Sequence, residues 1–228
     1  MIPGDAGAGY EALRVAARSA GLACRGGFHP TPADGVPPTR AGEPAGTLIL
    51  LGFTGGEQWP VFAASPESRD GLPDPLDRWS RRVIDALAVR FGASALYPAP
   101  GPPWWPFQRW AERAESVYRS PLGILIHPEY GLWHAYRGAL TFGTFVALPT
   151  QRVGPNPCER CTSRPCLHTC PVGAVQAGQF DHRACGAHLA TSGNRCRPGG
   201  CLARLACPVG TNWRYGDAQA AFHMQALG

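Results

Sequence analysis

Apolar residues recur at helical spacing over residues 8–20 (AGYEALRVAARSA), where Tyr10, Leu13 and Ala17 share a face and Gly21 follows, which predicts a short amphipathic helix. A loop rich in Gly and Pro from Gly26 to Pro44 leads to GTLILLGF at 46–53, an apolar run of strand length. Such a run predicts a strand buried on both faces. The clearest helix is DPLDRWSRRVIDALAVRFG at 74–92, with Leu76, Trp79, Val83, Leu87 and Phe91 in one stripe. Asp74 stands as its N-cap, Pro75 at its first position and Gly92 at its stop. Asp74 and Asp77 read as a cap and a first-turn carboxylate rather than as catalytic groups. ASALYP at 93–98 predicts a strand, and PGPPWWPFQRW at 100–110 a stiff aromatic loop entering a helix that runs to about Tyr118. Over 122–148 apolar stretches alternate with turns (LGILIHP, EYG, LWHAYRGALTFGTFVALP), predicting two or three adjacent strands of one sheet. A sheet rich in antiparallel pairs with helices on its faces is an α+β layer architecture.

The chain is 44% hydrophobic and 16% charged, with 29 Gly and 24 Pro, so it can bury a core and carries many loops. The formal charge of +5 is mild and scattered, which argues against nucleic acid as a partner. No stretch approaches the roughly 18 apolar residues of a membrane span. The opening MIPGDAGAGY lacks a basic start followed by an apolar core, so a cytoplasmic protein is expected, in a compartment where disulfides are disfavoured.

Of nine cysteines, Cys24 stands alone and reads as a small buried apolar residue, while eight lie between Cys158 and Cys207. Four of these, with the proline that follows, form C-x2-C-x4-C-x3-C-P: Cys158, Cys161, Cys166 and Cys170. Zinc ribbons more often divide two close pairs by a longer loop. The compact run resembles the bacterial ferredoxin pattern C-x2-C-x2-C-x3-C-P with two residues inserted. Cys185, Cys196, Cys201 and Cys207 make a second set, and CPVG recurs at 170–173 and 207–210. The ferredoxin resemblance implies that Cys158, Cys161, Cys166 and Cys207 hold one [4Fe–4S] cluster and Cys170, Cys185, Cys196 and Cys201 another. One cluster with spare thiols, or zinc, are the alternatives. Two such clusters, at about −2 each with their thiolates, bring the net charge to roughly +1.

A ferredoxin module needs only the C-terminal part, which leaves the first 150 or so residues to be explained. GILIHPEYGLWHAYRGAL at 123–140 is similar to a segment of the CblC (MMACHC-type) cobalamin-processing family, matching at Ile126, His127, Pro128, Tyr130, Gly131, Trp133, Arg137 and Gly138. FHPTP at 28–32 and DPLD at 74–77 resemble that family in the same order. Epoxyqueuosine reductases and reductive dehalogenases also join a cobalamin-binding domain to a two-cluster module. HPEYGLW before Cys158, the lone Cys185 and GNR at 193–195 resemble their pattern. Their Gly-Trp-x-Gly-Lys and Asp-Tyr-His stretches are replaced by YRSPLGI and DPLDRW, so the general-acid aspartate is not carried over.

The resemblance implies a nitroreductase-like, corrinoid-binding α+β domain over 1–152 and a bacterial-ferredoxin-like module over 153–228. It implies an oxidoreductase that uses its clusters and an external low-potential electron donor to reduce the corrinoid cobalt and remove its upper axial ligand. The alternatives are an electron carrier without corrinoid and a cobalamin-dependent reductase of another substrate. His127, Tyr130, Gly131, Trp133, Arg137 and Trp105 are the implied cobalamin-binding residues. For His127 a hydrogen-bonded structural role is commoner than cobalt ligation. Arg137 has an ion pair as its other reading. Trp104, Trp105, Phe107 and Trp110 are open to a corrinoid cap or to core packing.

Overall fold

The structure, a computed structural model, describes residues 6–98 and 101–227. The first five residues, read above for a leader, and Pro100 of the aromatic loop lie outside the described residues. In chain order come α1 (Ala6–Ser19), β1 (Ala23–Phe28), β2 (Thr47–Thr54), α2 (Trp59–Ala63), α3 (Pro75–Phe91), β3 (Ser94–Leu96) and α4 (Phe107–Ala114). Then follow β4 (Tyr118–Arg119), β5 (Leu125–Ile126), β6 (His134–Phe142), β7 (Val175–Gln176) and β8 (Gln179–Phe180). The chain closes with α5 (His182–Leu189), α6 (Cys196–Gly199), α7 (Leu202–Leu205) and α8 (Asp217–Gln225). The chain divides into two compact units, 1–116 with 135–153, and 117–134 with 154–228. The boundary expected at 152/153 compares with a division at 153/154, and residues 117–134, assigned above to the first domain, group with the cysteines.

The first unit is a four-stranded sheet in the order β1-β2-β6-β3 with helices around it, and its β1–β2 and β3–β6 pairs are antiparallel. All eight residues of β2 are buried, as an unbroken apolar run requires. Phe53 of β2 and Phe62 of α2 both pack on the Trp79 ring of α3, at 5.8 and 5.7 Å. Each fully buried side chain of this size contributes roughly 1.5–3 kcal/mol. Helix α3 buries the face formed by Leu76, Trp79, Val83 and Leu87 and ends at Gly92, whose φ of 63° only glycine adopts freely.

Three expectations are corrected. Asp74 precedes α3 in a left-handed conformation (φ 51°) and its side chain makes no capping bond, because capping needs an extended backbone to aim the carboxylate at the first turn. The helix after the aromatic loop stops at Ala114, and Tyr118 opens β4 instead. The strands of 122–148 do not share one sheet: β5 pairs antiparallel with β4, and β6 joins the main sheet. Among the described residues no helix is long and apolar enough to cross a membrane.

Candidate functional site

In the second unit short turns present each thiol. Asn156 accepts from the Cys158 N–H at 3.1 Å and so opens the 3-10 turn Pro157–Glu159, while Cys166 sits in the next such turn, Pro165–Leu167. Cys158, Cys161, Cys166 and Cys207 line one small cavity whose walls include Leu122, Ile126 and Leu132. Burial pushes the Cys158 thiol up to about 11, and Cys207, Cys166 and Cys161 beside it push the same way. Burial also raises Cys207, against a hydrogen bond from the Val209 N–H.

The other four are grouped likewise. Cys185, on α5, is raised by burial and then by Cys201, Cys170 and Cys196. Cys196 is buried with Leu189 and Met224, and Cys185 and Cys201 pack on them. The Cys201 thiol, raised by burial, is pulled down by the Arg204 and Ala203 backbone N–H groups at the start of α7. No disulfide joins any of the nine cysteines. Among the described residues no three His, Cys, Asp or Glu side chains are grouped as around a single metal ion.

These residues fit iron–sulfur clusters on three counts. The thiols lie in two sets of four, their surroundings are apolar, and backbone N–H groups point at the sulfurs of Cys201 and Cys207. Hydrogen bonds of this kind stabilise a thiolate that burial alone would keep protonated.

The six residues implied for cobalamin have protein partners. His127 and Gly131 exchange backbone bonds at 2.8 and 2.9 Å, and the His127 Nδ1 accepts from the Glu129 and Tyr130 N–H groups at 3.0 and 3.2 Å. Tyr130 stacks on His127 at 4.3 Å and meets Trp213 edge-on. Gly131 has a φ of 58°, and a Cβ there would lie 2.1 Å from the Val209 carbonyl oxygen. The HPEYG turn thus lies backbone to backbone against the second CPVG. Trp133 is buried edge-on to Tyr215 at 5.3 Å.

Arg137 and Trp105 belong to the first unit. Arg137 donates to Ser80 Oγ at 3.0 Å and pairs with Asp77, both on α3. Trp105 stacks near Trp110 at 6.4 Å, and the Trp110 indole donates to the Asp34 carbonyl at 2.9 Å, while Trp104 stays 71% exposed. A groove of about 550 Å³ between α1, α2 and α3, lined by Val61, Trp79, Arg82 and Arg90 among others, holds none of the six.

Two features escaped the sequence reading. Arg25 on β1 is 1% exposed, paired with Glu115 at 2.7 Å, and Tyr136 donates to the same carboxylate at 2.5 Å. The arginine in the run ACRGGF was the signal. Arg204, between Cys201 and Cys207, packs over the Trp133 and Tyr215 rings.

No known family model matches the sequence, and no curated protein matches it. Among solved structures, the B12-trafficking protein CblC of C. elegans, a human MMACHC homologue, is 13% identical over 96% of this chain and 93% of its own, with a TM-score of 0.54. The likeness is one of fold: this chain has a mixed α/β fold with small sheets like that of CblC. Epoxyqueuosine reductase from Bacillus subtilis is 17% identical over 75% of this chain, with a TM-score of 0.47. An epoxyqueuosine reductase bound to a tRNA-Tyr stem loop is 16% identical over 75%, with a TM-score of 0.46. The chain spans about half the length of these two reductases (50% of each). The expectation of no nucleic-acid partner is corrected: one of these similar structures, an epoxyqueuosine reductase, was solved with a tRNA stem loop.

Proposed function

We propose that this chain is an iron–sulfur oxidoreductase that holds two [4Fe–4S] clusters and passes electrons to a corrinoid, so that the cobalt is reduced and its upper axial ligand is lost. The observation that carries the reading is the assembly of eight buried or half-buried thiols into two sets of four. Cys158, Cys161, Cys166 and Cys207 would hold one cluster, and Cys170, Cys185, Cys196 and Cys201 the other. Bound there, the clusters supply single electrons at low potential. Around them, the Ala203, Arg204 and Val209 N–H groups favour the thiolate, and the walls of Leu122, Ile126 and Leu132 exclude water. In this reading the cluster-bearing part includes 117–134 as well as 154–228. The corrinoid as electron acceptor rests on the HPEYGLWHAYRG resemblance together with the CblC-like fold.

A second reading, an electron carrier without corrinoid, has its own support. All six residues implied for cobalamin are engaged by protein partners or packed against the protein's own backbone. Anaerobic purification with iron and sulfide assay, then visible titration with hydroxocobalamin and cyanocobalamin, decides between the two. About eight irons per chain, a saturable corrinoid shift and loss of the cyanide bands on reduction are expected. Eight irons with no spectral response would leave the carrier, and no bound iron would end both readings.

A further inference from the structure

Arg164 lies between Cys161 and Cys166 with a φ of 39°, a left-handed conformation that residues with a side chain seldom adopt. Its carbonyl accepts from the Leu167 N–H at 3.0 Å, so this strained residue leads directly into the turn Pro165–Leu167 that presents Cys166. Arg214 is tied to the stretch that carries the last thiol of the same set: its Nη2 donates to the Leu205 carbonyl at 2.7 Å, and Leu205 precedes Cys207 by two residues. Both arginines are exposed, and among the described residues neither is in an ion pair, whereas Arg14, Arg78, Arg82 and Arg137 of the first unit each hold a carboxylate. Burial raises the Cys158 and Cys207 thiols, and against it Arg164 pulls the first down and Arg214 the second. In the second set the influences on Cys185 are burial and its neighbouring thiols, with no arginine among them, although Arg183 stands two residues away.

Backbone strain of the kind seen at Arg164 collects where a side chain has work to do, since glycine would hold the same turn without it. A guanidinium keeps its charge at any working pH. A thiolate-bound cluster becomes more negative when it takes an electron, so a fixed cation beside it favours the reduced form and raises its potential. We propose that Arg164 and Arg214 are positioning residues of the first thiol set, which together hold the reduction potential of the cluster bound there above the value its thiolates alone would give and leave that of the second set unchanged. The inference rests on the two-cluster assignment above.

The test uses the full chain, purified without oxygen, as wild type, Arg164→Gly, Arg214→Met, the double variant, the corresponding double lysine variant and Arg183→Met. Glycine at 164 removes the charge and suits the backbone. Iron and sulfide are counted first, and both midpoint potentials are then followed by EPR-monitored redox titration, the signal of the second set being the one that changes in Cys185→Ser. In the double variant the first-set cluster should show about a tenfold lower reduced-to-oxidised ratio at its wild-type midpoint, which is about 59 mV for a one-electron couple. The second potential should stay in place, the two lysines should restore the first, and Arg183→Met should move neither. Because both arginines are exposed, the difference from wild type should shrink as potassium chloride is raised. Full iron with the first potential unchanged overturns the proposal, as does an equal fall in both potentials, a fall of the first in Arg183→Met, or a difference that salt does not reduce. If the double variant fails to load iron, the single variants decide, each with about a threefold fall expected, and wild-type potentials in both overturn it. Wild-type protein without clusters would instead overturn the underlying assignment, and the iron count shows this before any variant is compared.

Discussion

Arg25 carries a full charge at 1% exposure, which the fold tolerates because Glu115 pairs with it, the Phe53 carbonyl accepts from it at 2.6 Å and the Tyr136 ring lies 5.1 Å away. Burial pushes the Glu115 carboxyl up, while Arg25 and Tyr136 pull it back. Arg25→Met removes the strongest of those opposing influences, so the folded-state pKa of Glu115 rises further above its unfolded value. A group shifted in that direction contributes stability below its unfolded pKa and loses it as pH rises through the folded one. The variant is therefore expected to be about 3–5 kcal/mol less stable at pH 8, with a smaller deficit at pH 5. Urea midpoints at the two pH values check this, and equal deficits would exclude Glu115 as the source. Cys24 gives the same sign in a thiol, since burial pushes it up to about 12. Its contribution is complete below the unfolded value of about 8.5 and fades as pH rises from there towards 12. Replacing it, as Cys24→Ala, should flatten the loss of stability between pH 8.5 and 10.5. An unchanged slope would show that Cys24 is not the titrating group.

Among the elements, the HPEYG turn has the narrowest tolerance. Gly131 and Gly210 interlock: a Cβ on the first would lie 2.1 Å from the Val209 oxygen, and one on the second 2.4 Å from the Tyr130 carbonyl carbon. Both also have positive φ, which costs a side chain about 1–3 kcal/mol before any overlap is counted. Gly131→Ala should therefore lower the melting temperature and reduce iron per chain, because the turn lies against the residues that follow Cys207. Wild-type iron content in this variant would show that the turn does not support the first thiol set. The same segment shows what periodicity can and cannot reveal. The buried run of β2 and the apolar stripe of α3 were legible because each follows from burial on a regular element. The partners of 122–148 were not, since alternation marks a strand but not its neighbour, and β4 and β5 are only two residues long. The turn itself was not legible either: the His127 Nδ1 accepts from two backbone N–H groups, and the Tyr130 ring stacks on it.

At the scale of the whole chain, the two units differ in how they can be held together. The first has a four-stranded sheet and a 17-residue helix, enough regular structure to bury a core of its own. In the second, the longest helix among the described residues has nine residues, and β4, β5, β7 and β8 are pairs of residues. Isolated helices shorter than about 12–15 residues are marginal in water, and small units of this kind usually depend on metal or disulfide staples. Cys196 and Cys207 contribute packing here, and the clusters proposed above would add links between distant parts of the unit. The grouping of the cysteines was more legible than the fold around it, because identity and spacing mark them directly, whereas an arginine such as Arg204 gains its meaning only from what packs on it. Stripping the iron with a chelator under anaerobic, oxidant-assisted conditions should therefore open residues 154–228 to protease, while fragments from 6–116 stay protected. The digest is read by mass spectrometry before and after reconstitution with iron and sulfide, and reconstitution should restore the resistance. If the cysteine unit digests equally slowly with and without iron, its own packing holds it and the clusters are passengers. If both units open together on iron loss, the first depends on the second for its stability, and the sheet of β1, β2, β6 and β3 is not self-supporting.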